Sequence, residues 1–287
     1  MNGSQPAPIG FVGVGNMGSA MALRALREGA VVVAYDATTT ARQRLADAGA
    51  TIADSAAAVA AQCRLVSVVV NTDQQVRDAL SGSDGIIAGG GAGTIVAIHS
   101  TIHLETLEEA ATQGAARSVI VVDAAVTGGP DAAARGELVV MVGCDPATFA
   151  ALRPALSSYA SLIVRVGDLG AGMAAKIALM VISFGKLAAA YEGMHLANAA
   201  GVDLTEFARI VAQSERQSGL HDFFLRERIL RFADGYDGPL GEIARHESPK
   251  SQKDLHAAIE LAARVGVAVP FTALAHGQMP EVWGLER

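Results

Sequence analysis

The sequence predicts an N-terminal α/β domain with a mainly parallel sheet, joined by a long helix to an all-α C-terminal domain. Three observations carry that expectation. From Pro8 to Gly167, short β-branched runs alternate with Ala-rich segments. The first run passes directly into a glycine-rich turn, G-V-G-N-M-G. After Gly167 the strand-like runs stop, and helical periodicity continues to the C-terminus. The expected domains are 1–167 and 168–287.

Seven runs read as strands in order: IGFVGV (9–14), VVVAYD (31–36), LVSVVV (65–70), TIVAIH (94–99), SVIVVD (118–123), LVVMVG (138–143) and SLIVRV (161–166). Runs this apolar suit strands buried on both faces, as in a parallel sheet covered by helices. Segments such as NMGSAMALRALREG and TARQRLADAG supply those helices. The last strands follow one another closely, which opens the way to antiparallel pairing there. Beyond Gly167, residues 171 to about 200 read as one helix ended by Gly201. A second runs from Leu204 to about Ser214 with Asp203 as N-cap, and a third spans His221 to Phe232. DGYDGPLG reads as a loop. Ser251 to Gly266 reads as a further helix, with Ser248-Pro249 ahead of it.

Composition removes several function classes. The 287 residues carry a net charge of −7 and no basic block or stripe, so nucleic acid is not an expected partner. Cys63 and Cys144 have no metal-ligand spacing; they read as two buried thiols in a reducing cytoplasm, and no metal site is expected. MNGSQPAPIG has neither a basic n-region nor an apolar h-region, so it is not read as a signal peptide. The most apolar long run, Ala171 to Ala190, is interrupted by Lys176 and Lys186, and reads as a core helix, not a membrane span.

The glycine turn carries the first chemistry. In Gly13-Val14-Gly15-Asn16-Met17-Gly18, Gly13 permits the tight turn, Gly15 lets a pyrophosphate approach the backbone, and Gly18 lets the helix pack close to the strand. The helix N-terminus then offers N–H groups to the phosphates. The second strand ends in Asp36, at the distance where a carboxylate accepts hydrogen bonds from the adenosine ribose and repels a 2′-phosphate. Thr38, Thr39 and Thr40 come before the nearest arginine, Arg42, so the expected cofactor is NAD ahead of NADP. The segment GMAAKIALM (172–180) raises a second question, because Lys176 is a charge among apolar and small residues. Either it snorkels to solvent or its amine is used as an acid/base group whose pKa desolvation lowers.

These motifs resemble the β-hydroxyacid dehydrogenases, the family of 3-hydroxyisobutyrate dehydrogenase and tartronate semialdehyde reductase. Four ordered segments carry the resemblance: GFVGVGNMGSAMA (10–22), DAAVTGGPDAAARGELVVMVGCD (123–145), GDLGAGMAAKIALM (167–180) and QKDLHAAIELAARVGVAVP (252–270). It implies a Rossmann-type domain, a long interdomain helix, a helical second domain, and homodimers or homotetramers. It also implies oxidation of a 3-hydroxy acid, or reduction of the matching aldehyde or ketone. Within it Lys176 is the general acid/base, and Thr127-Gly128-Gly129 holds the substrate carboxylate on a hydroxyl and successive backbone N–H groups. Ser100 and Thr101 resemble the Ser-Thr pair beside the nicotinamide, and His99 before them reads as a strand-end histidine. Asn71 and Thr72 stand where the family places cofactor contacts. Lys253 corresponds to its second lysine, reaching the cofactor or substrate, with Asp254 holding the helix.

One position departs from the pattern. The family carries asparagine one turn after its catalytic lysine, and this chain carries Met180. Either the substrate is bulkier or less polar, or activity is weakened. With Lys176, Thr127 to Gly129 and Lys253 retained, the first reading is preferred. Met180, Phe223 and Phe224 would line such a pocket, with polar contacts from Ser218, His221 or Arg245-His246-Glu247. Two rival expectations stay open: an imine reductase or reductive aminase, which resembles this family in fold, and a dinucleotide-binding protein without turnover.

Overall fold

Strands with no polar alternation need cover on both faces; the inner strands of the sheet have it, whereas the edge strand Ala160–Gly167 leaves Leu162, Val164 and Val166 exposed. The computed structural model describes residues 7–218, 239–283 and 285. Its strands are β1 (Ile9–Val12), β2 (Val32–Tyr35), β3 (Thr51–Ile52), β4 (Leu65–Val68), β5 (Ile95–Ile98), β6 (Ile120–Thr127), β7 (Leu138–Gly143) and β8 (Ala160–Gly167). They form one sheet in the order β3-β2-β1-β4-β5-β6-β7-β8. Pairing is parallel from β3 to β6 and again between β7 and β8. Among the described residues only β6 and β7 pair antiparallel, so the antiparallel expectation holds at one junction. Every residue of β1, β4 and β5 is buried.

The helices of this part are α1 (Asn16–Arg27), α2 (Thr39–Asp47), α3 (Ala56–Ala60), α4 (Asp73–Leu80), α5 (Ile86–Gly89), α6 (Leu104–Ala115), α7 (Gly129–Arg135) and α8 (Pro146–Leu156). They close two cores, one on each face of the sheet. One gathers Phe11, Met21, Leu45, Leu138 and Tyr159. The other gathers Val66, Leu80, Ile98, Leu107 and Met173. Because the strand order reverses between β1 and β4, the loops after these two strands diverge and leave a crevice at their carboxyl ends.

α9 (Ala171–Ala199) follows, then α10 (Leu204–Ser218), α11 (Pro239–Val265) and α12 (Pro270–Val282). Compactness divides the chain into Met1–Met180 and Val181–Arg287. The first turns of α9 pack into the sheet's core: Met173 is fully buried there, with Ala175 and Leu179 packed against it. The end of α9 is as expected. Gly201 adopts φ +81°, and the Val202 N–H returns to the Ala197 carbonyl. Asp203 caps α10, accepting from Thr205 N at 2.8 Å and Glu206 N at 3.2 Å.

Three expectations need correction. α9 is not a buried core helix: Val181, Phe184, Leu187 and Tyr191 are each at least 60% exposed. α11 does not begin after Pro249. It starts at Pro239, inside the stretch read as a loop, and runs through Pro249. Ser251 Oγ donates to the carbonyls of Glu247 and Ser248, occupying acceptors beside the break. β3, only two residues long, was not among the expected strands. The expected helix 221–232 lies outside the described residues.

Candidate active site

The turn from β1 into α1 gives each glycine a separate reason. Gly13 has φ +85°, and a Cβ there would strike the Val69 carbonyl and lie 2.7 Å from Val70. A Cβ on Gly18 would collide with the Gly13 carbonyl. Gly15 differs, since a Cβ there meets nothing within 4 Å. It is the N-cap of α1 and makes no side-chain cap. The first turn of α1 is therefore an open cradle of backbone donors, which suits a pyrophosphate.

Around this turn lies a cleft of about 620 Å³. Its lining brings together Gly13, Gly15, Asn16, Met17, Gly18, Asp36, Asn71, Thr101 and Lys176, all expected from sequence. Asp36 is fixed before any ligand arrives. Its Oδ2 accepts from Val14 N and its Oδ1 from Thr38 N, both at 2.7 Å. Each oxygen keeps a further lone pair for a ribose hydroxyl.

The opposite wall is the loop after β4, and three groups fasten it. Ser100 Oγ accepts from Val70 N at 2.9 Å. Gln75 Oε1 accepts from Asn71 N at 2.8 Å and from Thr72 N at 3.2 Å. Asp73 Oδ2 accepts from Thr106 Oγ1 at 2.6 Å and His103 N at 3.0 Å, tying this loop to the one after β5. The Thr106 hydrogen bond leads the effects that hold the Asp73 carboxyl down at about 2. Thr72 itself does not border the cleft; its hydroxyl accepts from Gln75 N in a capping box at the start of α4. Gln75 is a wall residue that sequence reading missed, although the T-x-x-Q spacing of the capping box was there to find.

Lys176 enters from α9. It is half-buried, and burial moves its ammonium below its ordinary pKa. The chain has four lysines, and none precedes Lys176, whereas arginine supplies every earlier basic charge. A titratable amine at this place is thus an exception in its own domain.

Thr127, Gly128 and Gly129 do not themselves border the cleft, but their neighbours Val126 and Pro130 do. Gly128 and Gly129 have φ +126° and +77°, a pair of left-handed residues that only glycine adopts readily. A Cβ on Gly129 meets nothing within 4 Å, so that backbone is approachable. Met180, on α9, is half-buried and outside the cleft lining. Lys253 lies on α11 with its side chain 76% exposed and its Nζ 3.1 Å from the Asp254 carboxylate. Asp254 therefore pairs with its neighbour. The side chain of Ser218, together with His221, Phe223 and Phe224, lies outside the described residues.

His99 is the strand-end histidine expected, and its surroundings are now explicit. It is fully enclosed, with Nδ1 2.6 Å from the Ala124 carbonyl. A carbonyl only accepts, so Nδ1 carries the proton and Nε2 is left to accept. Ser67 Oγ and Tyr159 OH stand 3.1 and 3.2 Å from Nε2, and 3.2 Å from each other. Burial pushes the imidazole down to about 4, so it is neutral at pH 7. Both cysteines are buried, and desolvation pushes Cys63 up to about 12 and Cys144 to about 11, which makes them inert.

Comparison with known proteins agrees with this geometry. Residues 8–167 match the family described as the NAD binding domain of 6-phosphogluconate dehydrogenase. Residues 170–283 match that described as the NAD-binding domain of NADP-dependent 3-hydroxyisobutyrate dehydrogenase. An oxidoreductase of Mycobacterium tuberculosis is 34% identical over 93% of this chain and 90% of its own. A crystal structure of an oxidoreductase from Mycobacterium avium is 36% identical, with a TM-score of 0.86 over 97% of this chain and 99% of that one. The 3-hydroxyisobutyrate dehydrogenase of M. tuberculosis, solved with L-serine, is 26% identical, with a TM-score of 0.65 over 96% of this chain and 93% of that one. An imine reductase from a Pseudomonas species shares the fold at 19% identity, with a TM-score of 0.78 over 95% of this chain and 92% of that one.

Proposed function

The chain belongs to the β-hydroxyacid dehydrogenase family, and from that premise we propose that it interconverts a 3-hydroxy acid or related β-hydroxy compound and its carbonyl partner with NAD as the cofactor. The observation that carries the proposal is the cleft itself, where a half-buried lysine faces the same space as an open glycine cradle and an anchored ribose-type carboxylate. The nicotinamide, when bound, takes up or returns the hydride from carbon. Lys176 handles the proton. In oxidation its neutral amine takes the hydroxyl proton as the carbonyl forms, and in reduction its ammonium returns a proton to that oxygen. Burial favours the neutral amine, which suits the oxidative direction. Gly13 to Gly18 would cradle the phosphates, and Thr127 to Gly129 would orient the substrate carboxylate.

Asp36 supports NAD over NADP, since a fixed carboxylate at the ribose edge opposes a second anion there. Met180 in place of the family asparagine supports a bulkier or less polar substrate. The stripe Val181, Phe184, Leu187 and Tyr191 supports a homodimer, because exposed apolar stripes on a helix call for a partner. Length and composition would also let α9 cross a membrane. Against that, Glu192 on the same helix uses its carboxylate within the protein, accepting from Phe271 N, Thr272 N and Thr272 Oγ1. Inert buried thiols suit a cytoplasmic setting.

The test is nicotinamide absorbance with a panel of 3-hydroxy acids and 3-hydroxy amino acids, NAD and NADP in parallel, for wild type and Lys176→Ala. Turnover that falls by about 10²- to 10⁴-fold in the variant, with NAD still bound, is the expected result. The oxidation rate should rise with pH through one ionisation below the ordinary lysine value, and that limb should vanish in Lys176→Ala. Equal rates in both proteins would remove the lysine from the reaction. NAD binding without turnover on any substrate would favour the non-catalytic reading.

A further inference from the structure

Asp123 sits in the sheet between β5 and β7 with no exposed surface. A carboxylate in such a place is costly unless donors surround it. Its donors come from far along the chain. Gly170 N donates to Oδ1 at 2.8 Å and Met173 N to Oδ2 at 2.7 Å, and Gly172 N donates as well. These are the unpaired N–H groups at the start of α9. The space around the carboxylate is tight: a Cβ on Gly143 would run into it, and one on Gly172 would strike the Met141 carbonyl and lie 2.9 Å from Oδ2. Burial pushes the Asp123 carboxyl up against the pull of these hydrogen bonds, and the ionised form is the one that accepts on both oxygens.

Lys176 lies one turn beyond Met173, and β6 runs on from Asp123 to Thr127, where the Gly128-Gly129 turn begins. One strand thus holds both the first turn of α9 and the loop proposed for the substrate anion. We infer that Asp123 is a positioning residue: its carboxylate clamps the first turn of α9 to β6 and so sets where Lys176 stands in the cofactor cleft. The inference rests on the proposed role of Lys176.

The test reads Lys176 without requiring turnover. Acetic anhydride labels the four lysines, and mass spectrometry resolves each by peptide. NAD at about 100 times its Kd leaves on the order of 1% of sites free, so protection of Lys176 in wild type should reach at least about tenfold. In Asp123→Asn, NAD should bind within about twofold of wild type while protection of Lys176 falls below about twofold, since a shift of about 1 Å is enough to spoil such geometry. Lys186 and Lys250 serve as internal controls. Equal protection in wild type and variant overturns the clamp. No protection in wild type removes Lys176 from the cofactor and overturns the proposed function, a separate failure. If Asp123→Asn no longer binds NAD, Gly172→Ala crowds the same helix start without changing charge, its Cβ striking the Met141 carbonyl and lying 2.9 Å from Oδ2; it should lose protection too, and wild-type protection there overturns the inference.

Discussion

Phe11, Met21, Leu45, Ile98 and Leu107 are fully buried in the first unit. In the second, Val181, Phe184, Leu187, Tyr191, Ile210 and Leu274 are each at least 60% exposed. The two halves also differ in how they hold a helix start. Asp123 caps α9 from inside the sheet, with no exposed surface, and Glu192 caps α12 from a neighbouring helix. A sheet covered on both faces completes its own core and can carry a fixed cleft. The helices of the second unit leave apolar side chains exposed, and the proposed partner for them is a second copy of the chain.

Acid should separate the halves most strongly. His99 is neutral in the folded first unit, with its pKa at about 4, against an ordinary value of 6.5. Below pH 6.5 the unfolded chain takes a proton that the folded chain refuses. The stability held above 6.5 is therefore lost as pH falls toward 4, by about 3 kcal/mol. In the second unit, burial raises the Glu192 carboxyl but its three hydrogen bonds outweigh that and leave it lowered. Its contribution is kept until pH falls through the carboxylate range. Urea unfolding between pH 8 and 4 should thus lose stability first in the first unit, and His99→Phe should flatten that slope. A slope unchanged in the variant would assign the acid sensitivity elsewhere.

The contrast between the halves was unevenly legible in the sequence. Seven of the strands were readable because each lies in or overlaps a mostly apolar, β-branched run, and Gly13, Gly15 and Gly18 were readable because a strand precedes them and a helix follows. β3 was not, since two residues cannot show a period. Lys176 was conspicuous against apolar neighbours, but its anchor was hidden. The Asp123 contacts span 47 and 50 residues, and no local pattern encodes them. The exposure of α9 was hidden for a different reason. A helix apolar on most sides reads as buried, and sequence does not say whether its cover comes from the same chain. Helix α11 runs through Pro249, a residue that a propensity argument reads as a stop.

Phe184→Asp sharpens the contrast next. Placed in the middle of the exposed stripe, the charge should weaken self-association by at least about 2 kcal/mol, roughly thirtyfold. Sedimentation velocity across a dilution series would read it. A protein that is monomeric before the change would leave the stripe to another partner. The first unit should be untouched, so the NAD affinity of the variant is the internal check.

Cofactor choice gives the smallest effect and the sharpest division. If the first unit alone decides between NAD and NADP, the deciding group is Asp36, whose charge sits where a 2′-phosphate would come. Asp36→Asn keeps the shape and one acceptor for Val14 N or Thr38 N, but removes the charge. NAD should weaken by about tenfold, the order of one charge-assisted hydrogen bond, while NADP tightens. Lys253, in the second unit, carries an exposed ammonium already paired with Asp254. Lys253→Ala should weaken both cofactors alike, leaving their ratio unchanged. Fluorescence titration of both reduced cofactors with wild type and the two variants measures the six constants. A ratio that moves in Lys253→Ala and not in Asp36→Asn would place cofactor choice in the helical half and undo the division of labour drawn here.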